Sequence, residues 1–397
     1  MVAEIVFHLG DCKTGTTSVQ SVLAAGAWQT GAGPGADIVY PARFNHIPLA
    51  KTLSVPAEAR FEAERFAKVR SAFDDSGAAH GVISAEHFEF VDPEKVAAAI
   101  EQHLPGYQGR IRLVAYVRPH ADRLVSTFAE RAKKGIFMKP LEAMHDRLAE
   151  DGLLFYTPRF EKWRALFGEA FTLRPFLRNS LYKGDVVQDF FAFLCRGEAF
   201  EITRPTEQNE SLSVEDIAMM RAIHARIRRM GGPDLRPAQQ AFGWYMADFL
   251  GATPRQQGTK PRLHRDLAGK VAATYAADAA ALDAAFFEGT PMSDALAAAP
   301  DKAVAEAQSF EAEDHFSPDD LRSFDIWAQF LTRVIASDPE HFMWAVRPDD
   351  QRGPRPAAAL GLRRAGKGPG GRGPGGKGGK GPGKGGKGKR KRENMAD

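Results

Sequence analysis

The chain has 397 residues, of which 44% are hydrophobic, and its formal net charge is +3. Its two cysteines, Cys12 and Cys195, are too few for a disulfide framework, and no histidines stand at the spacing of a zinc site. The charge is unevenly spread: residues 352–397 hold fourteen Lys and Arg against two acids, which is +12, and the remainder therefore carries 3 − 12 = −9. The composition excludes a small disulfide-stapled fold and predicts an acidic folded body followed by a basic tail.

The amino-terminal segment does not have the pattern of a secretory signal. Glu4 and His8 interrupt its first apolar stretch, and no apolar run in the sequence reaches membrane-spanning length. We therefore expect a soluble, cytoplasmic protein.

The first half of the chain alternates short apolar, β-branched runs with helical patterns, which is typical of a parallel sheet with crossover helices. The predicted strands are residues 4–9, 37–40, 81–84, 111–117 and 171–175. The predicted helices are residues 16–27, 57–74, 93–103, 119–134, 158–167 and 185–195. The expected fold class is α/β, with three α/β/α layers around a central parallel sheet of about five strands.

The pattern is helical throughout residues 211–346. Ser213 and Ser317 each precede acidic residues, which predicts two capped helix starts. After Pro348 the composition changes to glycine, lysine and proline with almost no apolar side chains to bury, which is typical of a disordered segment. The predicted organisation is an α/β core over residues 1–205, a helical carboxyl-terminal lobe over 206–347 and a disordered basic tail over 348–397.

A glycine-containing loop, GDCKTGTT, joins the first predicted strand to the first predicted helix. This order points backbone N–H groups and a helix dipole at one spot, which binds phosphate. The lysine precedes the second glycine, whereas the Walker pattern GxxxxGK[ST] places it after and uses the next hydroxyl to hold magnesium. A magnesium–ATP site is therefore not favoured, and the alternative is a plain glycine turn with an exposed lysine. The candidate ligand-binding residues are Gly10, Lys13, Thr14, Gly15, Thr16 and Thr17.

A second candidate anion site follows the predicted strand 111–117. Arg118 stands at the carboxyl tip of this strand, where open α/β sheets bind ligands, and Pro119 suits the first position of a helix. Arg123 and Ser126 are three residues apart and share a face of that helix. The alternative is that Arg118 pairs with a nearby acid and that Ser126 is an ordinary packed serine.

The two motifs together, KTGTT at residues 13–17 and R-x7-S at residues 118–126, resemble the binding loops of sulfotransferases that use 3′-phosphoadenosine 5′-phosphosulfate (PAPS). The bacterial, carbohydrate-type branch of that family is the closer match, over about residues 4 to 290. The similar segments are FHLGDCKTGTTSVQ, IVYP followed by Asn45 and His46, ISAEHF, AYVRPHADRLVS, LRPFLRNSLYKGDVVQDF and NESLS.

This resemblance implies PAPS as the co-substrate, with the first loop around its 5′-phosphosulfate and the second around its 3′-phosphate. Lys13 would neutralise charge on the bridging oxygen, and Arg118 and Ser126 would select the 3′-phosphate. No metal is expected. The late RKG loop of the animal cytosolic enzymes is not found, and residues 260–265 are a candidate for a further 3′-phosphate contact.

Glu86 and His87 follow the predicted strand 81–84 and are candidates for a general base, because a hydroxyl acceptor must lose its proton as its oxygen attacks sulfur. The resemblance favours Glu86, with His87 as the alternate. The alternatives are a helix cap for Glu86 and a loop contact for His87. Candidates for acceptor binding are Asn45, His46 and Arg174, and the expected acceptor is a hydroxyl compound, with a sugar favoured.

The tail attracts polyanions through its charge, whether nucleic acid, anionic lipid or an acidic polysaccharide, unless it is a solubilising segment only. Two other functions stay open. One is a magnesium-dependent P-loop kinase acting on a small molecule or sugar, and the other is a non-catalytic polyanion-binding protein on the same fold.

Overall fold

The structure is a computed structural model that describes residues 1–203, 212–348 and 352–356. The strands are β1 Glu4–His8, β2 Trp28–Thr30, β3 Gly33–Pro34, β4 Ile38–Val39, β5 His80–Ser84, β6 Ile111–Val117, β7 Phe171–Pro175 and β8 Phe200–Ile202. The helices are α1 Thr16–Ala25, α2 Ile47–Thr52, α3 Glu62–Asp74, α4 Pro93–His103, α5 His120–Lys133, α6 Leu141–Glu150, α7 Thr157–Phe167, α8 Val186–Leu194, α9 Val214–Gly231, α10 Arg236–Ala252, α11 Arg265–Phe286, α12 Pro291–Ala297, α13 Ala299–Lys302, α14 Pro318–Ser337 and α15 Pro339–Ala345.

Five parallel strands form the central sheet, in the order β4-β5-β1-β6-β7. In the middle of the sheet His8 lies opposite both Ser84 and Val114, so that β1, β5 and β6 finish at the same edge. Helices cover both faces, and the predicted α/β class with a five-stranded parallel sheet is confirmed. The loops that follow these three strands therefore meet at the carboxyl edge of the sheet.

The side chains of β1 alternate between two hydrophobic cores, as the period of a strand requires. Ile5 and Phe7 face the larger core, whereas Val6 packs with α1 and α8 around Val19 and Phe190 on the other face. The larger core continues into the carboxyl-terminal helices through buried residues such as Tyr275 of α11. Sheet and carboxyl-terminal helices therefore share one core.

Two predicted helix caps are present. The Ser213 side chain accepts a hydrogen bond from the Asp216 backbone N–H, and Ser317 forms a reciprocal capping box with Asp320. The boundary predicted between residues 205 and 206 lies outside the described residues, as does all of the predicted tail except 348 and 352–356. The domain organisation stays a prediction.

Element boundaries differ from the predicted ones by a few residues. The first helix ends at Ala25 rather than at residue 27, because Gly26 adopts a left-handed conformation and closes it. The helix after β6 begins at His120, and Pro119 precedes it in an extended conformation with ψ of 140°. A second, antiparallel sheet in the order β3-β2-β8 was not predicted, and its strands have only two or three residues.

No helix within residues 1–203, 212–348 and 352–356 combines the length and the hydropathy needed to cross a bilayer.

Candidate functional site

The loop between β1 and α1 adopts a conformation that depends on its glycines. Gly10 and Gly15 have φ of 43° and 75°, in the left-handed region that glycine adopts without strain. Gly15 is the N-cap of α1, and a Cβ there would lie 2.7 Å from the Val186 side chain. Lys13 adopts a φ of 69° although it has a Cβ, which is an uncommon conformation for a lysine. The backbone of the loop is thus held in one tight path at the start of a helix.

The three threonines of the loop have different environments. Thr14 is fully buried and its hydroxyl donates to the Asp11 carbonyl over 2.7 Å, while the Thr16 hydroxyl points to the same carbonyl over 3.4 Å. Thr17 is exposed, and its hydroxyl has no hydrogen-bond partner among the described residues. Thr14 and Thr16 therefore shape the loop, and Thr17 offers the open hydroxyl at the first turn of α1.

Arg118 brings the second predicted motif to this loop. Its guanidinium donates to the Lys13 carbonyl over 3.1 Å and lies 5.8 Å from the centre of the Phe176 ring. Burial lowers the pKa of Arg118, but arginine stays charged in proteins. Ser126 is half-buried on α5, and its hydroxyl is used by none of the hydrogen bonds among the described residues. A cation at the tip of β6 therefore adjoins the loop between β1 and α1.

Arg123 has a structural partner that sequence reasoning missed. It is buried, and its Nη2 lies 2.8 and 3.1 Å from the two carboxylate oxygens of Glu89. It also donates to the Cys12 carbonyl, while the Cys12 N–H donates to Glu89 over 2.9 Å. Arg123 was predicted as a ligand-binding residue, and in this structure its guanidinium binds the Glu89 carboxylate and the loop backbone at Cys12.

A second buried ion pair holds the same loop. Arg159 of α7 makes a bidentate contact with Asp11, with distances of 2.8 and 2.5 Å. Burial raises the pKa of Glu89, but the charges of Arg123 and Arg159 outweigh this effect and hold that pKa below its usual value. Two carboxylates and two guanidiniums therefore form a neutral network under the loop.

Lys13 shares one acid with two other lysines. Its ammonium lies 3.2 Å from Glu130 of α5, which also contacts Lys133 at 2.9 Å and Lys134 at 2.5 Å. Burial alone would raise the pKa of Glu130, but the three lysines hold it well below its usual value. Burial also lowers the pKa of Lys13, an effect that Glu130 opposes. Three lysines around one glutamate give this cluster beside the loop a net positive charge.

Glu86 adjoins the beginning of the loop. Its Cα lies 3.5 Å from the place where a Cβ on Gly10 would stand. The buried Gln20 of α1 donates to Glu86 over 3.2 Å and to the Ser84 hydroxyl over 3.2 Å, and Ser84 in turn bonds to His8 at 2.9 Å. These hydrogen bonds hold the Glu86 side chain at the edge of the sheet where the parallel strands end.

The His87 side chain contacts Ser54 and Phe90. Its Nε2 forms a hydrogen bond with the Ser54 hydroxyl at 2.8 Å, and its ring lies 5.5 Å from that of Phe90. Burial, followed by the charge of Lys51, lowers the pKa of His87. Of the two candidate bases, Glu86 is therefore the one beside the loop.

The three candidate acceptor residues lie in different places. His46 is buried, and its Nδ1 accepts from the Ser84 N–H over 3.2 Å, two residues before Glu86. The Asn45 side chain accepts from the Ile47 N–H at the start of α2. Arg174 contacts both oxygens of the buried Asp189 at 2.9 Å, on the face of the sheet that α8 covers. His46 is thus near the candidate base, and Arg174 is engaged in an ion pair.

The segment 260–265 is bound to α6, where His264 lies 2.8 Å from Glu142. No hydrogen bond or ion pair among the described residues joins this segment to the loop. Two cavities of about 300 and 320 Å³ also lie elsewhere, one beside Gly135 and Arg228 and the other beside Glu4 and His80. Within the part of the chain that the structure describes, no group of three or more histidine, cysteine or acidic side chains is placed to hold a metal ion.

Comparison with known proteins gives one similarity in structure. No family model matches the chain, and no curated protein matches it. The chain is similar to the crystal structure of a sulfotransferase from Alicyclobacillus acidocaldarius, with 13% sequence identity and a TM-score of 0.39. The likeness covers 72% of this chain and 97% of the other.

Proposed function

We propose that the chain is a sulfotransferase that moves the sulfuryl group of PAPS to a hydroxyl of an acceptor, with a carbohydrate hydroxyl as the favoured acceptor. The observation that supports this proposal is the hydrogen bond from Arg118 to the Lys13 carbonyl, which brings the side chain of the second candidate anion motif to the loop of the first. A ligand with two separate anionic groups fits such a site better than a ligand with one.

The loop and α1 supply the binding groups for the 5′-phosphosulfate in this proposal. The N–H groups after Gly15 and the open Thr17 hydroxyl donate to the phosphate oxygens at the start of the helix. Arg118 and the Ser126 hydroxyl take the 3′-phosphate. Because the Val186 side chain lies so close to Gly15, a side chain at this position would not fit, and the loop presents only its backbone there.

The proposed reaction is an in-line displacement at sulfur. A bond forms between the acceptor oxygen and sulfur, and the bond from sulfur to the 5′-phosphate oxygen breaks with its electron pair on that oxygen. The acceptor proton moves to the Glu86 carboxylate, which Gln20 orients. The protein supplies placement and charge stabilisation.

Lys13 neutralises the leaving oxygen in this proposal. It must then leave Glu130, which keeps its contacts with Lys133 and Lys134 after this exchange. Lys13 supplies the positive charge that magnesium supplies in Walker-type sites, so the proposed reaction is metal-free.

Isothermal titration with adenosine 3′,5′-bisphosphate in the presence of a chelator tests the proposal. We expect binding without magnesium, and a loss of about tenfold to a hundredfold in affinity for Arg118→Ala, because a hydrogen bond to a charged group contributes about 1.5–3 kcal/mol. Equal affinity for AMP and for the bisphosphate would contradict the proposal. Magnesium-dependent binding and turnover of ATP would favour the kinase alternative instead.

A further inference from the structure

Trp244 of α10 lies beside the lysines that adjoin the loop. The Nζ atoms of Lys134 and Lys133 lie 3.8 and 5.5 Å from the centre of its ring, and 45% of the tryptophan is exposed. Both lysines also contact Glu130, the acid that pairs with Lys13 of the loop. An exposed aromatic ring and three ammonium groups therefore form one cluster at the side of the proposed PAPS site.

The position of this tryptophan depends on a close contact between α10 and the end of α5. Gly243 lies against the Lys133 carbonyl, and a Cβ on this glycine would clash with that oxygen and lie 2.9 Å from the Lys134 Cα. The buried His224 of α9 donates to the same carbonyl over 2.8 Å, and the buried Gln239 donates to the other ring nitrogen of His224 over 3.1 Å. Packed backbone and buried hydrogen bonds therefore hold the ring next to the lysines.

A cavity of about 300 Å³ opens at the other end of the same contact. Arg228 donates to the Gly135 carbonyl, and Arg236 is exposed on the first turn of α10. Neither arginine forms an ion pair with an acid in the part of the chain that the structure describes. The cavity thus offers guanidinium and amide groups to a ligand, and it is lined by Gly135, Ile136, Arg228, Arg236, Gln239 and Gln240.

One side of α10 connects the cavity to the tryptophan. Arg236, Gln240 and Trp244 follow one another at intervals of four residues, which places them on the same side of the helix. The helix rises about 12 Å between Arg236 and Trp244, at 1.5 Å per residue. We call this stretch, from Lys133 and Lys134 across Trp244 and Gln240 to the two arginines of the cavity, the α5–α10 surface.

Positive charge predominates along the α5–α10 surface. Burial raises the pKa of Asp248, one turn after Trp244 on α10, and the charge of Lys133 opposes this effect. Asp234 precedes α10 and does not line the cavity. The acids beside the surface are thus outnumbered by its basic side chains together with that of the loop, which are Lys13, Lys133, Lys134, Arg228 and Arg236.

We propose that the α5–α10 surface binds an anionic oligosaccharide, so that the acceptor is a sugar chain with carboxylate or sulfate groups. The role as acceptor rests on the proposed sulfotransferase function, whereas the binding of the sugar chain does not. The apolar face of a sugar ring packs on Trp244, and its hydroxyls bond to Gln240. Acidic groups of the chain contact the lysines at one end and the arginines at the other.

The chemistry of the surface favours an acidic sugar chain over two other ligands. A neutral sugar chain matches the ring and the amides, but it leaves the two arginines of the cavity without a partner. A single-stranded nucleic acid stacks successive bases on several aromatic rings along an unbroken basic groove. The α5–α10 surface has one such ring, and Glu130 and Asp248 interrupt its basic side chains.

Calorimetric titration of the full chain with a hexamer of galacturonic acid tests the proposal. Maltohexaose is the neutral comparison and a uridylate hexanucleotide the nucleic-acid comparison, and PAPS is left out so that binding is measured apart from turnover. We expect the hexauronate to bind, with an affinity that falls at high salt, and the two other hexamers to bind at least tenfold more weakly. Trp244→Ala and Arg236→Gln should each lower the hexauronate affinity by about tenfold.

A neighbouring arginine supplies the matched control. Arg229 follows Arg228 on α9 and is also exposed, but it does not line the cavity. Arg229→Gln should leave the hexauronate affinity unchanged, and Trp244→Phe should retain most of it because a ring is kept. Circular dichroism of each variant verifies that the helices are retained.

Titration of the same variants with adenosine 3′,5′-bisphosphate separates this proposal from the proposed function. If the bisphosphate binds and the hexauronate does not, the α5–α10 surface is not a sugar site and the sulfotransferase proposal stands. If the hexauronate binds with the expected losses and the bisphosphate does not, the sugar site stands and the sulfotransferase proposal fails. Hexauronate binding that Trp244→Ala and Arg236→Gln leave unchanged would overturn the site, as would equal binding of maltohexaose or tighter binding of the hexanucleotide.

Discussion

The guanidinium of Arg118 donates a hydrogen bond to the carbonyl oxygen of Lys13 over 3.1 Å. This bond joins the tip of β6 to the loop after β1, although 105 positions separate the two residues in the sequence. It uses one N–H group of a side chain that has five, so that the others are available to a ligand. Arg118 is therefore both a support for the loop and a candidate ligand for an anion.

Arg118→Lys should separate these two functions. A lysine keeps the charge but lacks the planar set of donors that can hold the Lys13 carbonyl and a phosphate together. We expect affinity for adenosine 3′,5′-bisphosphate to fall by about tenfold, less than for Arg118→Ala. Calorimetry measures this effect, with AMP as the control ligand because it lacks the 3′-phosphate. A fall of the same size for AMP would assign Arg118 to the loop alone.

Gln20→Leu should affect turnover more than binding. The buried Gln20 side chain holds Glu86 and Ser84, so that its loss leaves the Glu86 carboxylate without its 3.2 Å contact. We expect kcat to fall by about tenfold while KM for PAPS changes little. Glu86→Gln should lower kcat by about a hundredfold or more, because removal of a general base costs that much. If Glu86→Gln turns over at the wild-type rate, the base is another group.

Glu89→Gln should destabilise the fold. The change leaves the buried Arg123 without its partner, and breaking a buried ion pair from one side costs about 3–5 kcal/mol. Denaturation with urea measures the free energy of unfolding. Glu64→Gln is the control, because Glu64 pairs with Lys68 on the exposed face of α3 and its loss should leave that free energy nearly unchanged. Equal stability of the two variants would contradict the structural role of Glu89.

Glu130→Gln should strengthen the binding of anionic nucleotides. It removes the negative charge that Lys13, Lys133 and Lys134 now share. We expect adenosine 3′,5′-bisphosphate to bind about threefold to tenfold more tightly at low salt, with a smaller gain at high salt, because ions screen the charges. Glu161→Gln on α7 is the control. Weaker binding by Glu130→Gln would mean that the ion pair holds Lys13 in place for the ligand.

The stability of the fold should decrease as the pH falls below neutrality. Burial lowers the pKa of His8 and of His46 from 6.5 to about 3. Between these values the unfolded chain binds protons that the folded imidazoles do not, and the free energy of unfolding therefore falls with the pH, by at most about 1.4 kcal/mol per pH unit for each histidine. The variant His8→Gln should show a shallower dependence between pH 6.5 and pH 4. Urea denaturation at several pH values measures both slopes, and identical slopes would contradict the assignment.

The sequence predicted the larger elements well and their connections poorly. Two predicted strands, Ile111–Val117 and Phe171–Pro175, have the same bounds in the structure, because β-branched or apolar runs between clear turn signals define them locally. The short strands of the second sheet were missed, since two or three residues carry no period and their pairing depends on distant partners. Helix α6, at Leu141–Glu150, was also missed.

The same limit applies to the candidate site. The loop and Arg118 could be found from sequence because glycine spacing and strand ends are local signals. The partners of the loop could not, since Asp11 and Arg159 are 148 positions apart and Glu89 and Arg123 are 34 apart. In the sequence, an arginine that pairs with a buried acid cannot be distinguished from one that binds a ligand. Burial in the structure distinguishes Arg123 from Arg118 in this respect.

The small antiparallel sheet constrains the order in which a growing chain can fold. Trp28 of β2 pairs with Ile202 of β8. Strand β2 therefore cannot pair with β8 until the ribosome has synthesised and released residue 202. Trp28 likewise lacks the cover of Phe191, whose ring centre lies 5.9 Å from its own, until residue 191 has left the ribosome. Closing so long a loop is slow, and the first helix spends that interval with apolar surface open to chaperones. With the other four tryptophans replaced by phenylalanine, the emission of Trp28 would therefore report one of the last steps in the assembly of the α/β core.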